Sequence, residues 1–215
     1  CKYDQAICQY MAAQVKAFSS GMTLTSTTTN KAKTSSAASQ SVSHMDGQGN
    51  MQIISTENGK ETGNMIVLNK VTYFKDYEAN QWFKMTSADD QTSSASNPES
   101  FIENLKENLN SEEITTTYTK LGQEPCGDMA PKLTCDIYQV SDTGEVDFTS
   151  KVWIDTTEHL TRKMEMDLSD GGVNTTTYTY GPVTITEPSP VKEFTTPELD
   201  LQKMMENLPV ETPEE

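Results

Sequence analysis

The chain has 215 residues, a formal net charge of −16 at pH 7 and a hydrophobic content of only 34 %. That length suits one domain, or at most two small ones, and is enough to bury a core. The charge argues against a nucleic-acid partner, which needs clustered Lys and Arg, and disfavours docking to anionic lipid surfaces. Abundant Thr and Ser fit an antiparallel sheet with a large solvated face better than a compact α/β enzyme.

No run approaches the ~18–20 apolar residues of a membrane span. No signal peptide is legible, and one, if present, is expected to have been removed before Cys1. The chain opens with Cys1 and Cys8, and a second local pair, Cys126 and Cys135, lies far downstream. Neither spacing is that of a zinc site, so the four read as two local disulfides, which implies an extracytoplasmic location. Cys1 also has a second reading. A mature chain beginning with Cys is consistent with an acylated, membrane-anchored lipoprotein; even parity favours pairing with Cys8.

Residues 4–18 predict a helix, with Asp4 as its cap and Ile7, Met11, Val15 and Phe18 on one face. Strands follow. "GMTLTSTTT" places Met22 and Leu24 on one side among β-branched threonines, and "KTSSAASQSVSHM" reads as a solvated strand. Gly47 and Gly49 mark a turn, and Asn58-Gly59 is the tip of the next hairpin. "NMIVLNKVTYFKDY" and "QWFKMT" are further strands, separated by a turn at Ala79-Asn80. A Ser/Thr-rich loop over 86–97 leads to a second helix over 97–110. Asn97 caps it, Pro98 opens it, and Phe101, Ile102, Leu105 and Leu109 form its buried side.

Strands return with "ITTTYTKLG" and "KLTCDIYQV"; the loop "PCGDMAPKLTC" reads as a stapled hairpin. In "EVDFTSKVWIDTTEHLTRKMEMDL" alternate residues are apolar, Val146, Phe148, Val152 and Ile154, then Leu160, Met164, Met166 and Leu168, with Ser150 and Arg162 the exceptions. Lys151, Lys163 and Glu165 alternate to the other side. Period two means strands with one dry face, which covers either a packed core or a cavity for something apolar. "VNTTTYTYG" and a short "VTITEPSP" complete the strands. "TPELDLQKMMENL" is a third helix, with Leu201, Met204, Met205 and Leu208 on one face, and residues 209–215 are an acidic, disordered tail. The layout is helix, about five strands, helix, about five or six strands, helix, with antiparallel neighbours throughout and no βαβ rhythm.

Several residues of this pattern resemble a known family. Trp153, Ile154 and Asp155 end a strand, and Leu160, Arg162 and Lys163 open the next. Upstream stand Tyr73, Lys75, Trp82 and Lys84, and the end "VTITEPSPVKEFTTP" has the matching Pro and Phe-x-x-Pro. Together these resemble the LolA-like periplasmic lipoprotein carriers and the related mycobacterial glycolipid-binding lipoproteins. The resemblance spans roughly residues 5–200 in element order, on short motifs. It implies an α+β fold: a curved antiparallel half-barrel of about ten to eleven strands with helices across the concave face, forming one domain over 1–208. The space between sheet and helices would take lipid chains, with the last helix as a lid. Two features depart from the pattern: the Cys126–Cys135 loop and the long 86–97 region.

The candidate cavity lining is then Met22, Leu24, Val146, Phe148, Val152, Ile154, Leu160, Met164, Met166, Leu168, Met204 and Met205. Met is well suited to line an apolar site, and equally suited to fill gaps under crossing helices. Catalysis has little support. His44 and His159 are isolated, and no carboxylate pair stands in a recognisable context. The acidic stretches "SADDQTS" and "LSDGG" lack the alternate ligands and terminal Glu of a calcium loop, so no metal or cofactor is expected. Asn174-Thr175-Thr176 matches a glycosylation acceptor but is common by chance. Trp82 and Trp153 offer a sugar platform. Trp153, on the polar side of its strand, is expected to pack on Tyr178 or Tyr180 or to form part of a partner-binding patch. The expected function is a non-enzymatic envelope or secreted protein that binds a lipid or acyl chain. The alternative is a surface scaffold with a filled core.

Overall fold

The structure is a computed structural model that describes residues 1, 3–30, 39–85, 116–127, 130–142, 148–168 and 171–193. One helix, α1 (Gln5–Phe18), precedes β1 (Met22–Asn30), β2 (Ser39–Met45), β3 (Met51–Glu57), β4 (Lys60–Leu68), β5 (Val71–Asp76) and β6 (Gln81–Met85). Then come β7 (Thr116–Pro125), β8 (Thr134–Asp142), β9 (Phe148–Asp155), β10 (Thr161–Asp167), β11 (Gly172–Tyr180) and the short β12 (Val191–Glu193). The 12 strands form one open sheet in the order β12-β6-β5-β4-β3-β2-β1-β11-β10-β9-β8-β7. Two meanders, β1–β6 and β7–β11, meet where β1 pairs with β11. The helices expected over 97–110 and 196–208 lie outside the described residues, as do Val146, Met204, Met205, the acidic tail and the side chain of Phe148.

Local chemistry sets most of the boundaries. Asp4 accepts from the Ile7 amide at 2.9 Å and so caps α1. Asn58 and Gly59 both take positive φ, 51° and 77°, as a two-residue hairpin tip requires. Two expectations are corrected. "VTITEPSP" is not a strand: it crosses the sheet in extended form, and the chain pairs only at Val191–Glu193. That pairing, with β6, is parallel, so antiparallel neighbours are not universal. Pro182, Pro188 and Pro190 lack the amides a ladder needs, which explains the first correction.

The inner face of the sheet carries α1. Ile7 and Met11 pack there against Tyr138, Val140, Val152 and Ile154, with Tyr3, Tyr10, Tyr118 and Met164 around them. Burying each such apolar side chain stabilises by roughly 1.5–3 kcal/mol. The helix buries Ile7, Met11, Gln14 and Phe18, so Gln14 takes the place expected for Val15, which is half-buried.

The outer face is covered in two places. Both disulfides form, Cys1–Cys8 and Cys126–Cys135. The first uses the sulfur that acylation of Cys1 would need. The second closes a loop in which Ala130 and Leu133, with Ile137, pack over Trp153. Trp153 is therefore 5 % exposed beneath the loop, its indole N–H donating to Glu124 and Lys163 Nζ lying 4.2 Å from its ring. This corrects the expected packing on Tyr178 or Tyr180, which belong to the inner face, and leaves no exposed platform. At the other end Val183, Ile185 and Val191 pack on Ile66, Leu68, Val71, Tyr73 and Trp82. Trp82 thus belongs to a packed cluster as well.

The β2–β3 turn is pinned to the end of α1 by a close backbone approach. A Cβ at Gly47 would stand 2.1 Å from the Ser19 carbonyl oxygen. Gly47→Ala is expected to lower stability by ~1–3 kcal/mol, read from the urea midpoint, because backbone must shift to admit it. Gly122→Ala, where a Cβ would meet nothing within 4 Å, is the matched control and should change little.

Candidate functional site

Side chains paired across a sheet share a face, so the register gives the inner surface row by row. One row runs through Tyr180, Met22, Met45, Met51 and Val67. The next runs through Tyr178, Leu24, Ser43, Ile53, Met65 and Phe74. Phe83 extends it, stacked on Phe74 at 5.7 Å between ring centroids. Met22 and Met51 are buried; Leu24, Met45, Ile53, Met65 and Val67 are half-buried. These two rows make an apolar band, interrupted in the second row by Ser43.

One step further along the strands the band ends. The third row is Thr176, Ser26, Ser41 and Ser55, and the fourth is Asn174, Thr28, Ser39 and Glu57. Asn174 holds the seam here, donating to Ser26 Oγ at 2.9 Å and Thr28 Oγ1 at 2.8 Å. Its amide is committed inside the sheet, so it is not an available glycosylation acceptor in the folded chain. These hydroxyls border an open depression of about 260 Å³. Toward β10 and β9 the same rows turn apolar again at Met164 and Val152.

α1 is seated on the apolar end by a buried polar network. Gln14 Nε2 donates to Thr161 Oγ1 at 2.6 Å, and Thr161 donates to Tyr10 Oη at 3.2 Å. Tyr180 Oη lies 3.0 Å from both Gln14 Oε1 and the Thr161 carbonyl oxygen. Beside it Asp155, with no exposed surface, accepts from the amides of Thr157 and Glu158 and from Arg162 Nε at 2.8 Å. Arg162 also lies over the Tyr180 ring, 5.4 Å from its centroid. Every partner in this set is satisfied, and the network fixes the helix on the sheet.

The described candidates fall on the inner side as the alternation requires, except at Leu160: the register shifts between Thr161 and Lys163, and Thr161, paired with Ile154 and bonded to Gln14, takes the inner place at the start of β10. Met22, Val152, Ile154 and Leu160 are buried, whereas Leu24, Met164, Met166 and Leu168 are half-buried. Lys151 and Glu165 pair with each other and Lys163 pairs with Trp153, all on the outer face. A small cleft of about 80 Å³ lies between Ala6 of α1 and Tyr138, Ile154 and His159. Among the described candidates, Ile154 alone borders either depression. Missed from sequence were Gln14 and the β2–β5 part of the band, Met45, Met51, Ile53, Val67 and Phe74. Their short strands carry a readable period two, which would have placed them.

His44 bonds Thr23 Oγ1 at 3.0 Å on the outer face, and His159 sits in the β9–β10 turn with φ 57°. Among the described residues no group of three or more His, Cys, Asp or Glu is placed to hold a metal ion, and no helix is long and apolar enough to cross a membrane.

The same architecture occurs in solved structures. The lipoprotein LppX of Mycobacterium tuberculosis matches with a TM-score of 0.52 at 14 % identity, over 86 % of this chain and 100 % of that one. LprF of Mycobacterium bovis matches at 0.50 and 18 % identity, over 84 % and 95 %. This chain has the half-barrel fold of these two proteins. An uncharacterised conserved protein of Thermus thermophilus shares the half-barrel at 0.50 and 9 % identity, over 88 % of this chain and 100 % of its own. No protein-family model and no curated protein matches the chain. The resemblance carried by Trp153, Ile154, Asp155 and the strand after them therefore holds at the level of fold.

Burial also tunes the inner face. It raises the phenols of Tyr10, Tyr178 and Tyr180 above their ordinary value of 10.0, with the Gln14 hydrogen bond and, more weakly, Arg162 opposing the shift at Tyr180. An acid whose folded pKa is raised binds more protons folded than unfolded, so stability is intact below pH 10 and falls as pH rises past it. Urea midpoints are expected to hold to about pH 9.5 and then drop. Tyr178→Phe, which forfeits only a 4.0 Å contact to the Met164 sulfur, should flatten the drop.

Proposed function

We propose that the protein binds a lipid or acyl chain over the apolar band of the inner face and performs no chemistry on it. The observation that carries this reading is the band itself. It continues across β1–β5 well past the strands that α1 packs on, with Leu24, Met45, Ile53, Met65 and Val67 only half-buried. Sequestration needs no special polar contact: about 0.8 kcal/mol per methylene removed from water is enough for a chain of ordinary length. The fold is that of two proteins described as lipoproteins, LppX and LprF, which supports the reading.

The disulfides fit an oxidising compartment, which supports a location in the cell envelope or outside the cell. The segment bearing Met204 and Met205 is proposed to close over the band as a lid, in a single domain over 1–208. The scaffold alternative draws on the fact that neither depression is lined by the band.

The test is retention of a fluorescent acyl probe by delipidated, folded protein. Leu24→Glu is expected to lower affinity by about tenfold or more, since a carboxylate in that band is desolvated without a partner. Thr25→Glu, one residue on and facing outward, should leave it unchanged. Wild-type protein that takes up no probe would decide for the scaffold.

A further inference from the structure

The inner face is not uniformly apolar, and the boundary is sharp. Along β1 the inner face changes from Leu24 to Ser26 and along β3 from Ile53 to Ser55; on β2 the change comes one pair earlier, between Met45 and Ser43, and on β11 Tyr178 gives way to Thr176. At that line the surface opens into the depression of about 260 Å³, roughly nine water volumes, which is room for a small head group. A hydroxyl both donates and accepts, so Ser26, Ser41, Ser55 and Thr28 suit an alcohol, ester or amide. They offer no cation. Among the described lining residues Glu57 is the one that carries a charge, and it repels an anion. Lys60 faces Glu57 across the hairpin tip, exposed and outside the lining.

We propose that the ligand is an amphiphile with an uncharged, hydrogen-bonding head group. The head lies over Ser26, Ser41 and Ser55, and the chain lies over the Met22 and Leu24 rows. The inference rests on the carrier reading and sharpens it: the site selects by head group as well as by chain. A purely hydrocarbon ligand leaves the hydroxyl end unused. A carboxylate or phosphate head meets Glu57 with no guanidinium or ammonium among the described lining residues to offset it. Lys31 and Lys33 stand between β1 and β2 in the sequence, outside the described residues, so an anionic arm belongs in the test.

Three probes with one fluorescent chain are titrated into delipidated protein: a monoacylglycerol, the free fatty acid and the lysophosphatidic acid. The monoacylglycerol is expected to bind about tenfold more tightly than either anion. Ser41→Lys should reverse that order, and Ser55→Val should weaken the monoacylglycerol alone by a few-fold. Circular dichroism and an unchanged urea midpoint establish that each variant is folded. Should Ser41→Lys fail to fold, the Ser55→Val result decides. Equal affinity for all three probes, or tighter binding of an anion to wild type, overturns the head-group assignment and leaves the carrier reading standing. Binding of none of the three by folded wild type overturns both.

Discussion

Everything on the two faces depends on how β1 is paired with β11. The two meanders touch nowhere else in the strand order, and side chains alternate with period two. A slip of one residue at this seam would bring the inner face of one meander level with the outer face of the other. The Met22 and Leu24 rows would then face solvent on one side of the seam and α1 on the other. The pairing is held by groups that fit in one register only. Asn174 reaches Ser26 and Thr28, and Tyr180 reaches Gln14 on α1. The hydroxyl end of the inner face is thus a structural lock as well as a candidate head-group site.

The helix adds a second lock of a different kind. An apolar helix face can slide on an apolar sheet at little cost. Gln14, bonded to Thr161 and Tyr180 in a dry setting, cannot shift without stranding several polar groups. The Asp155–Arg162 pair stiffens the adjacent β9–β10 turn through two amide bonds and an ion pair. On the outer side the Cys126–Cys135 loop does for Trp153 what α1 does for Val152 and Ile154. Alternate residues of β9 are buried on both faces, one set by a helix and the other by a stapled loop.

Much of this was legible in the sequence because it is local. The alternation through Val152, Ile154, Met164 and Met166 needs only the period of a strand. Asp4 and Asn58-Gly59 announce themselves through short-range chemistry. Gln14 was not legible, since a polar residue on a buried helix face makes sense only with Thr161 and Tyr180 in view, some 147 and 166 residues away. Trp153 misled for the same reason: its cover comes from a loop on β7 and β8. Ser26, Ser41 and Ser55 gave no signal because serine and threonine occupy both faces of β1 to β3, so alternation of polarity vanishes there. β12 could not be read because three residues pairing in parallel leave no pattern. The apolar band on β3 to β5 was within reach of the same period-two reading that succeeded on β9 and β10.

An open sheet has two free rims, and each rim is a template on which a foreign strand can grow. Here neither rim is inviting. The rim at β6 is covered by β12, short and preceded by Pro188 and Pro190, which have no amide to extend the ladder. The rim at β7 is broken by a bulge between Lys120 and Gly122 and ends at Pro125, with Lys120 tied to Asp136 across the strand. A half-barrel cannot hide its rims by closing. This one discourages end-to-end polymerisation through proline, bulge and charge.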